Sequence, residues 1–276
     1  MRITTLILAT FRELLSKTTL YILLGISTLI LLGTLASLSS EKTGEGVVLK
    51  VFGNPVSPPT QLEELAPLVN GMQAGLARGL LAGIMLFGVF ATASIVPDSL
   101  EKGTVDLYLS KPVARWELLL GKYLGSVTVM LAVILYFIGG IWLGFGVKIG
   151  IWNWEFLLSA FTMTFMFGCI FSMVLFLGVV FRNAAIPIIG CFIYLMFVDN
   201  LLQNRETSLY LLSDNKIYRG ILDGLYYLFP QIAGMQKGLQ NQIIHKTMEW
   251  QPFAQALLSS SAIFGCSTLI IRGRDF

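Results

Sequence analysis

Apolar residues run along this chain in long stretches separated by polar segments, and six windows hold no Asp, Glu, Lys or Arg: 18–40, 79–97, 123–147, 156–181, 183–198 and 250–271. A helix rises about 1.5 Å per residue, so about 20 residues cover the roughly 30 Å hydrocarbon core, where lipid leaves no partner for open backbone. Five windows are long enough alone. The window 183–198 reaches only about 24 Å. It is extended to about Leu202, which puts Asp199 near the headgroups and Pro187 in the first turn, where a missing N–H is tolerated. The pattern predicts an all-α integral membrane protein, one domain over 1–276 with spans at about 18–38, 79–97, 123–147, 156–181, 184–202 and 252–271.

The polar segments carry patterns of their own. Ile3, Leu6, Ile7, Thr10, Phe11, Leu14 and Leu15 fall near one helical face, with Arg2, Arg12, Glu13 and Lys17 toward water. This predicts an amphipathic interfacial helix, with Phe11, Arg12, Glu13 and Lys17 as its marker residues. Seventeen such residues before a 23-residue charge-free stretch do not fit a signal peptide, so the first span is expected to be uncleaved. Of the two long segments, 41–78 opens rich in Gly, Pro and Ser and reads as loop, then Gln61 to Val69 as a short helix. In 203–250, Leu209, Leu211, Ile217, Ile221, Leu225 and Tyr226 are spaced for amphipathic surface helices. Gly224 to Gln236 is charge-free but short and broken by Pro230, which reads as re-entrant or interfacial.

Charge then orients the spans. Only 13% of residues are charged and 55% are apolar. With the N-terminus inside, segments 1–17, 98–122, Arg182 and 272–276 carry ten Lys/Arg in 48 residues, against nine in the other 97. The positive-inside rule therefore predicts an N-in, C-in topology. A net charge of +3 spread over membrane flanks gives no nucleic-acid footprint. Three cysteines inside apolar windows make no disulfide framework or metal knuckle, and His245 as the single histidine excludes a histidine-based zinc site. A chain with no charge inside its windows also lacks the buried carboxylates of a proton-driven carrier or an intramembrane enzyme.

Two stripes recur within the spans. Gly71, Gly75, Gly79 and Gly83 form a four-residue ladder, repeated as Gly140 and Gly144, which suits close helix packing within the chain or along a dimer seam. Met163, Met166, Cys169 and Met173 share one face of the fourth span. Thioether and thiol ligands suit Cu(I), while methionine equally fills apolar gaps. With Asp199, placed for an outer gate or a solvated helix end, these four are the candidate substrate path; no metal is assigned to them.

The most informative segment is the loop 98–122. Ser99 to about Leu109 can form a short helix carrying Leu100, Val105, Leu107 and Leu109; Lys111-Pro112 stops it, and a second helix starts near Arg115. A bare turn needs only a few residues. The run resembles the pattern E-x-G-T, two to four residues, L-x-x-P-x-x-R, then L-L-G-K of ABC-2 type transporter permeases, here Glu101, Gly103, Thr104, Leu109, Pro112, Arg115, Leu119, Leu120, Gly121 and Lys122. Layout and length are most similar to the branch that includes the permease of the nitrous oxide reductase maturation system.

The resemblance implies the transmembrane subunit of an exporter in a bacterial or archaeal cytoplasmic membrane, itself no enzyme. ATP and Mg would bind a separate ATPase, consistent with the lack of a G-x-x-x-x-G-K-[ST] phosphate loop. It further implies two ATPase subunits, a second permease chain (a homodimer where no other is supplied), and a coupling helix between spans two and three. That role falls on Leu100, Glu101, Gly103, Thr104, Asp106 and Leu107, with Lys111, Pro112 and Arg115 framing its exit. Two variants of this reading stay open. One is a mechanotransmitter that drives a periplasmic partner through the outer segment without moving substrate. The other is export of copper or sulfur species for metalloenzyme maturation.

Overall fold

The structure is a computed structural model, and it describes residues 2–43, 46–99, 114–212 and 215–273. Six helices among these are long and apolar enough to cross a membrane: Thr18–Ser37, Leu62–Ser99, Trp116–Ile149, Trp154–Phe181, Ala185–Gln203 and Trp250–Arg272. Amphipathic α1 (Arg2–Leu15) precedes the first span, α2 (Thr18–Ser37). The second span runs through α3 (Leu62–Gly83), a π-helical turn at Ile84–Gly88, α4 (Val89–Thr92) and α5 (Ile95–Ser99). The third and fourth are α6 (Arg115–Ile149) and α7 (Trp154–Phe181). The fifth joins α8 (Ala185–Ile193), a π turn at Tyr194–Val198 and α9 (Asp199–Gln203). After α10 (Lys216–Leu228) and α11 (Ile232–His245), α12 (Trp250–Arg272) is the sixth.

The fourth span is the hub. It is the most apolar of the six, with a mean hydropathy of 2.4 in its best window, and apolar around its whole circumference. A helix apolar all round either faces lipid or is buried in protein, and this one is buried, with α6, α8, α11 and α12 all packed on it. Phe156, Phe167 and Phe171 fill the interior together with Phe137 and Phe145 of α6. Positive-φ residues close the third span and the hub itself: Gly150 at φ +89° ends α6 and Arg182 at φ +52° ends α7. Between them the Asn153 side chain accepts from Phe156 N and starts α7.

The glycine step of the third span is an intrachain seat. Side chains of Leu31 and Leu35 from α2 occupy the positions that a Cβ on Gly140 and Gly144 would need. The ladder of the second span behaves differently: among the described residues, and apart from the helix's own backbone, no atom lies within 4 Å of a Cβ built on Gly71, Gly75, Gly79 or Gly83. Among the described residues, no other element of the chain packs on that ladder.

The segment 41–78 departs from its sequence reading. Its opening is a small antiparallel sheet in the order β1 (Leu38–Thr43), β2 (Gly46–Val51), β3 (Asn54–Pro55), with Leu38 opposite Val51 and Glu41 opposite Val48. The β2–β3 turn is Phe52-Gly53, both at positive φ. That is the twist-matched hairpin geometry, but a Phe at its first position gave no turn signal. The sheet joins the span ends through Lys148 Nζ, which donates to the carbonyls of Leu35 and Leu38. The short helix expected at Gln61 to Val69 is the first part of α3, and the 38-residue second helix measures about 57 Å, well beyond the bilayer core.

Candidate functional site: the α1 clamp and the cleft between spans two and five

Of the residues matched to a coupling helix, Leu100, Glu101, Gly103, Thr104, Asp106, Leu107, Lys111 and Pro112 lie outside the described residues. Arg115 is the first residue of α6. The structure defines the two ends between which that loop is strung. On one side, Asp98 in α5 receives Lys17 Nζ at 2.9 Å, with Ser94 Oγ accepting from the same ammonium at 3.0 Å. On the other, Lys122 in α6 donates to Glu13. Both pairs end on α1 or the residue turning out of it, so one short helix is tied to the exit of span two and the start of span three.

Glu13 and Lys17 are thus half-buried in ion pairs rather than turned freely to water, as their place on the polar arc predicted, while Arg12 is exposed. The amphipathic pattern sorted residues between apolar and polar faces but carried no sign of partners 77 to 109 positions away. Lys122, 4% exposed, is the more constrained member of its pair. A buried ammonium without its carboxylate would carry an uncompensated desolvation cost.

Close packing explains why α1 sits where it does. A Cβ on Gly121 would stand 2.6 Å from Leu6 Cβ, and one on Gly125 would stand 2.6 Å from Thr10 Cβ and 3.2 Å from the Ile7 carbonyl. Both positions must be glycine for α1 to approach this near. Thr10 and Leu14 are buried by the contact and Phe11 packs on the core beside them. In the L-L-G-K run, then, Leu119 is core, Gly121 is a seat and Lys122 is a tie.

The candidate path residues of span four fare differently from Asp199. Met163, Met166, Cys169 and Met173 are all buried in the packed hub, and the Cys169 thiol points at the Ala256 carbonyl at 3.8 Å. Among the described residues no group of three or more His, Cys, Asp or Glu side chains is arranged to hold a metal ion. Asp199, read as lining an outer gate or as a solvated helix end, is only 6% exposed, which excludes the solvated end. Its Oδ2 accepts from Ala233 N at 2.7 Å, capping α11, and Tyr194 Oη, which donates to the Pro230 carbonyl at 2.7 Å, lies 3.5 Å from its Oδ1. Placing Asp199 from the last charge-free residue missed that α11 folds back over the end of span five.

Asp199 borders a cleft of about 70 Å³ whose walls include Ala82, Met85 and Leu86 from span two, Leu195 and Met196 from span five, and Ala233 and Gln236 from α11. The two π-helical turns of the chain's described part supply Met85, Leu86, Leu195 and Met196. A π turn inserts one residue into the helical ladder and re-aims the side chains around it, and such turns concentrate at functional sites. No sequence period announces them.

At the end of the bundle away from α1, a buried amide network binds α11 to the spans. Asn153 Nδ2 faces Asn70 Oδ1 and Gln73 Oε1, each at 3.0 Å, and the Ile243 carbonyl at 3.2 Å, while Thr162 donates to Gln242 at 2.9 Å. The expected re-entrant or interfacial segment divides at Pro230: α10 lies exposed, and α11 buries Ile232, Met235, Leu239 and Ile243 against spans two, four and six. His245 at its end is exposed, as read from the sequence.

Comparison with known proteins adds one match. No curated protein matches the chain. A family model described as ABC-2 family transporter protein matches residues 11–262, from α1 to well into the sixth span. Members of that family are membrane subunits of ABC transporters, without catalytic activity of their own, and work with ABC ATPase partners. Matched over most of its length, and with six helices able to span a membrane, this multi-pass membrane protein belongs to the ABC-2 transporter family.

Proposed function

We propose that this chain receives work from a separate ATPase at the α1 end and passes it to the cleft between spans two and five, opening an export path. The observation that carries this reading is the double tie of α1, to Asp98 before the loop and Lys122 after it. A loop strung between two unlinked helices would absorb a push by bending. Strung between ends that share one clamp, it moves both spans together, and α1, seated on Gly121 and Gly125, carries span one with it. The loop residues Leu100 to Leu107, framed by Lys111, Pro112 and Arg115, are then the ATPase contact, with Glu101 and Arg115 offering charges to it.

The remaining parts follow the same reading. The density of basic residues supports an N-in, C-in topology in a bacterial or archaeal cytoplasmic membrane, with α1 at its inner face and ATP and Mg held by two partner ATPases. The unpacked glycine ladder of span two supports a second copy of this chain along that face, the ladder leading toward the cleft wall at Ala82. Rigid-body movement of the spans is a known repertoire for such coupling. The test is charge reversal: Glu101→Lys or Arg115→Glu abolishes ATPase association and substrate-coupled ATP hydrolysis, and intact coupling in both variants would remove the assignment.

A second reading has one observation behind it. The amide network around Asn153 makes α11 rigid with the spans, which suits a mechanotransmitter handing motion to a periplasmic partner. Proteoliposomes separate the two readings, since an exporter moves substrate without the partner and a mechanotransmitter does not.

A further inference from the structure

Span five is held in two different ways along its length. Its half nearest α1, α8, packs on span four. The half away from α1 is the π turn Tyr194–Val198 followed by α9, and α9 packs chiefly on α10 and α11. Of these, α10 has no buried residue and is linked to the end of span five through the Arg205–Asp223 pair. A π turn interrupts the i→i−4 ladder, and sharp bends in helices concentrate at such turns. The turn stands where a span anchored at one end can bend.

Helix α11 belongs to the other side of the cleft. Its Gln242 accepts from Thr162 of span four, and Asn153 joins its Ile243 carbonyl to Asn70 and Gln73 of span two. A Cβ on Gly238 would stand 2.8 Å from the Phe253 ring of span six. Spans two, four and six therefore hold α11 as one block. The far half of span five is fastened to that block through Asp199, whose Oδ2 accepts from Ala233 N at 2.7 Å, and Tyr194, whose Oη donates to the Pro230 carbonyl at 2.7 Å. Both contacts reach the start of α11. A helix leaves the N–H groups of its first turn open, and that end favours negative charge. Gln231, in the capping position, makes no side-chain cap, so the cap comes from span five instead.

The cleft closed by this contact holds about 70 Å³, several-fold below the roughly 300–1,000 Å³ of small-ligand sites. Met85 of its span-two wall is 3% exposed. Cargo of ligand size passes only if the walls part.

We propose that the half of span five away from α1 is the gate of the export path, swinging at its π turn, and that the Asp199 carboxylate, by capping α11, is the latch that holds the gate closed. The inference rests on the reading of the cleft as that path. Asp199 is a positioning residue here, acting through Ala233 N.

Water access at Met85 tests it, measured on the full chain in nanodiscs with neither ATPase nor substrate present. The exposed Cys266 is replaced by Ser and Met85 by Cys, and the rate of modification by a small charged methanethiosulfonate is followed. In this parent the rate is slow. Asp199→Ala raises it at least about tenfold, the shift in opening expected for losing one hydrogen bond to a charged group. Tyr194→Phe raises it in the same direction, while Asp199→Asn, whose amide oxygen still accepts from Ala233 N, stays closer to the parent. Cys169, buried in the hub, stays unreactive throughout. An unchanged rate in both Asp199→Ala and Tyr194→Phe overturns the latch. So does reaction at Cys169, the mark of general loosening, or an Asp199→Asn chain as open as Asp199→Ala. In the complex with its ATPase, ATP raises the parent's rate toward that of Asp199→Ala; an open variant beside a parent that ATP leaves unmoved supports the latch and overturns the export reading.

Discussion

Lys122 shows how much one residue of a motif can hold. Its ammonium is buried and its carboxylate partner stands on another helix, so Glu13→Gln leaves a charge with reduced compensation and is expected to destabilise the chain by about 1–3 kcal/mol. Lys122→Glu is worse, and combining it with Glu13→Lys recovers part of the loss. Thermal unfolding of the two single variants and the double variant checks this, and additive effects would contradict a direct pair. Asp223 gives a pH dependence. The Tyr210 hydroxyl, then Arg205, hold its carboxyl below the usual range. A lowered native value stabilises the fold fully above the unfolded value of about 3.9 and is lost as pH falls through the native one. Amide exchange in Lys216–Leu228, corrected for its intrinsic rate, is therefore flat from pH 7 to 5 and accelerates below about pH 4; unchanged protection at pH 3 would contradict the tie. Neither partner was legible in the sequence. Glu13 and Lys17 were read onto a polar arc, but an arc says only which side a charge is on, and the solvated end, one of two readings of Asp199, is closed by its cap on α11, a contact across 34 positions.

At the scale of elements, the same residue type acts in opposite ways. Gly125→Val puts methyl groups into Thr10 and the Ile7 carbonyl, lifting α1 from span three at a cost of about 1–3 kcal/mol. Gly25→Ala, with open space around it, is neutral or stabilising by up to about 1 kcal/mol. Comparing their melting temperatures tests whether α1 is seated rather than merely adjacent, and equal effects would count against the seat. The spans were legible because about 20 apolar residues admit few other fates in lipid. The sheet was not, because its strands are short and its turn uses Phe52 at positive φ. The helical overhang of span two was read as a loop followed by a short helix, since its polar side chains Asn70 and Gln73 are buried by partners that no local pattern announces. The π turns leave no period at all.

As a whole molecule, the chain divides into an α1 end that carries paired charge, a hub around span four, and an opposite end held by buried amides. The family was legible in the loop between spans two and three, where residue type and spacing combine, and the match over residues 11–262 accords with it. The fold adds the two ion pairs that tie α1 to Asp98 and Lys122 on either side of that segment. If two copies meet along the glycine ladder, Gly75→Leu with Gly79→Leu shifts the purified protein toward a single copy in nanodiscs, as counted by mass photometry, with the unfolding temperature of the single copy unchanged. An unaltered count would place the seam elsewhere. The central claim, that ATPase work enters through the loop clamped by α1, is tested most directly by ATP hydrolysis in the reconstituted complex with its ATPase, comparing the wild-type chain with Lys17→Glu. The account predicts that the ATPase still binds this variant while substrate-coupled hydrolysis falls at least about tenfold, an effect of roughly 1.4 kcal/mol on transmission. Full coupling in a variant that has lost the tie to Asp98 would contradict it.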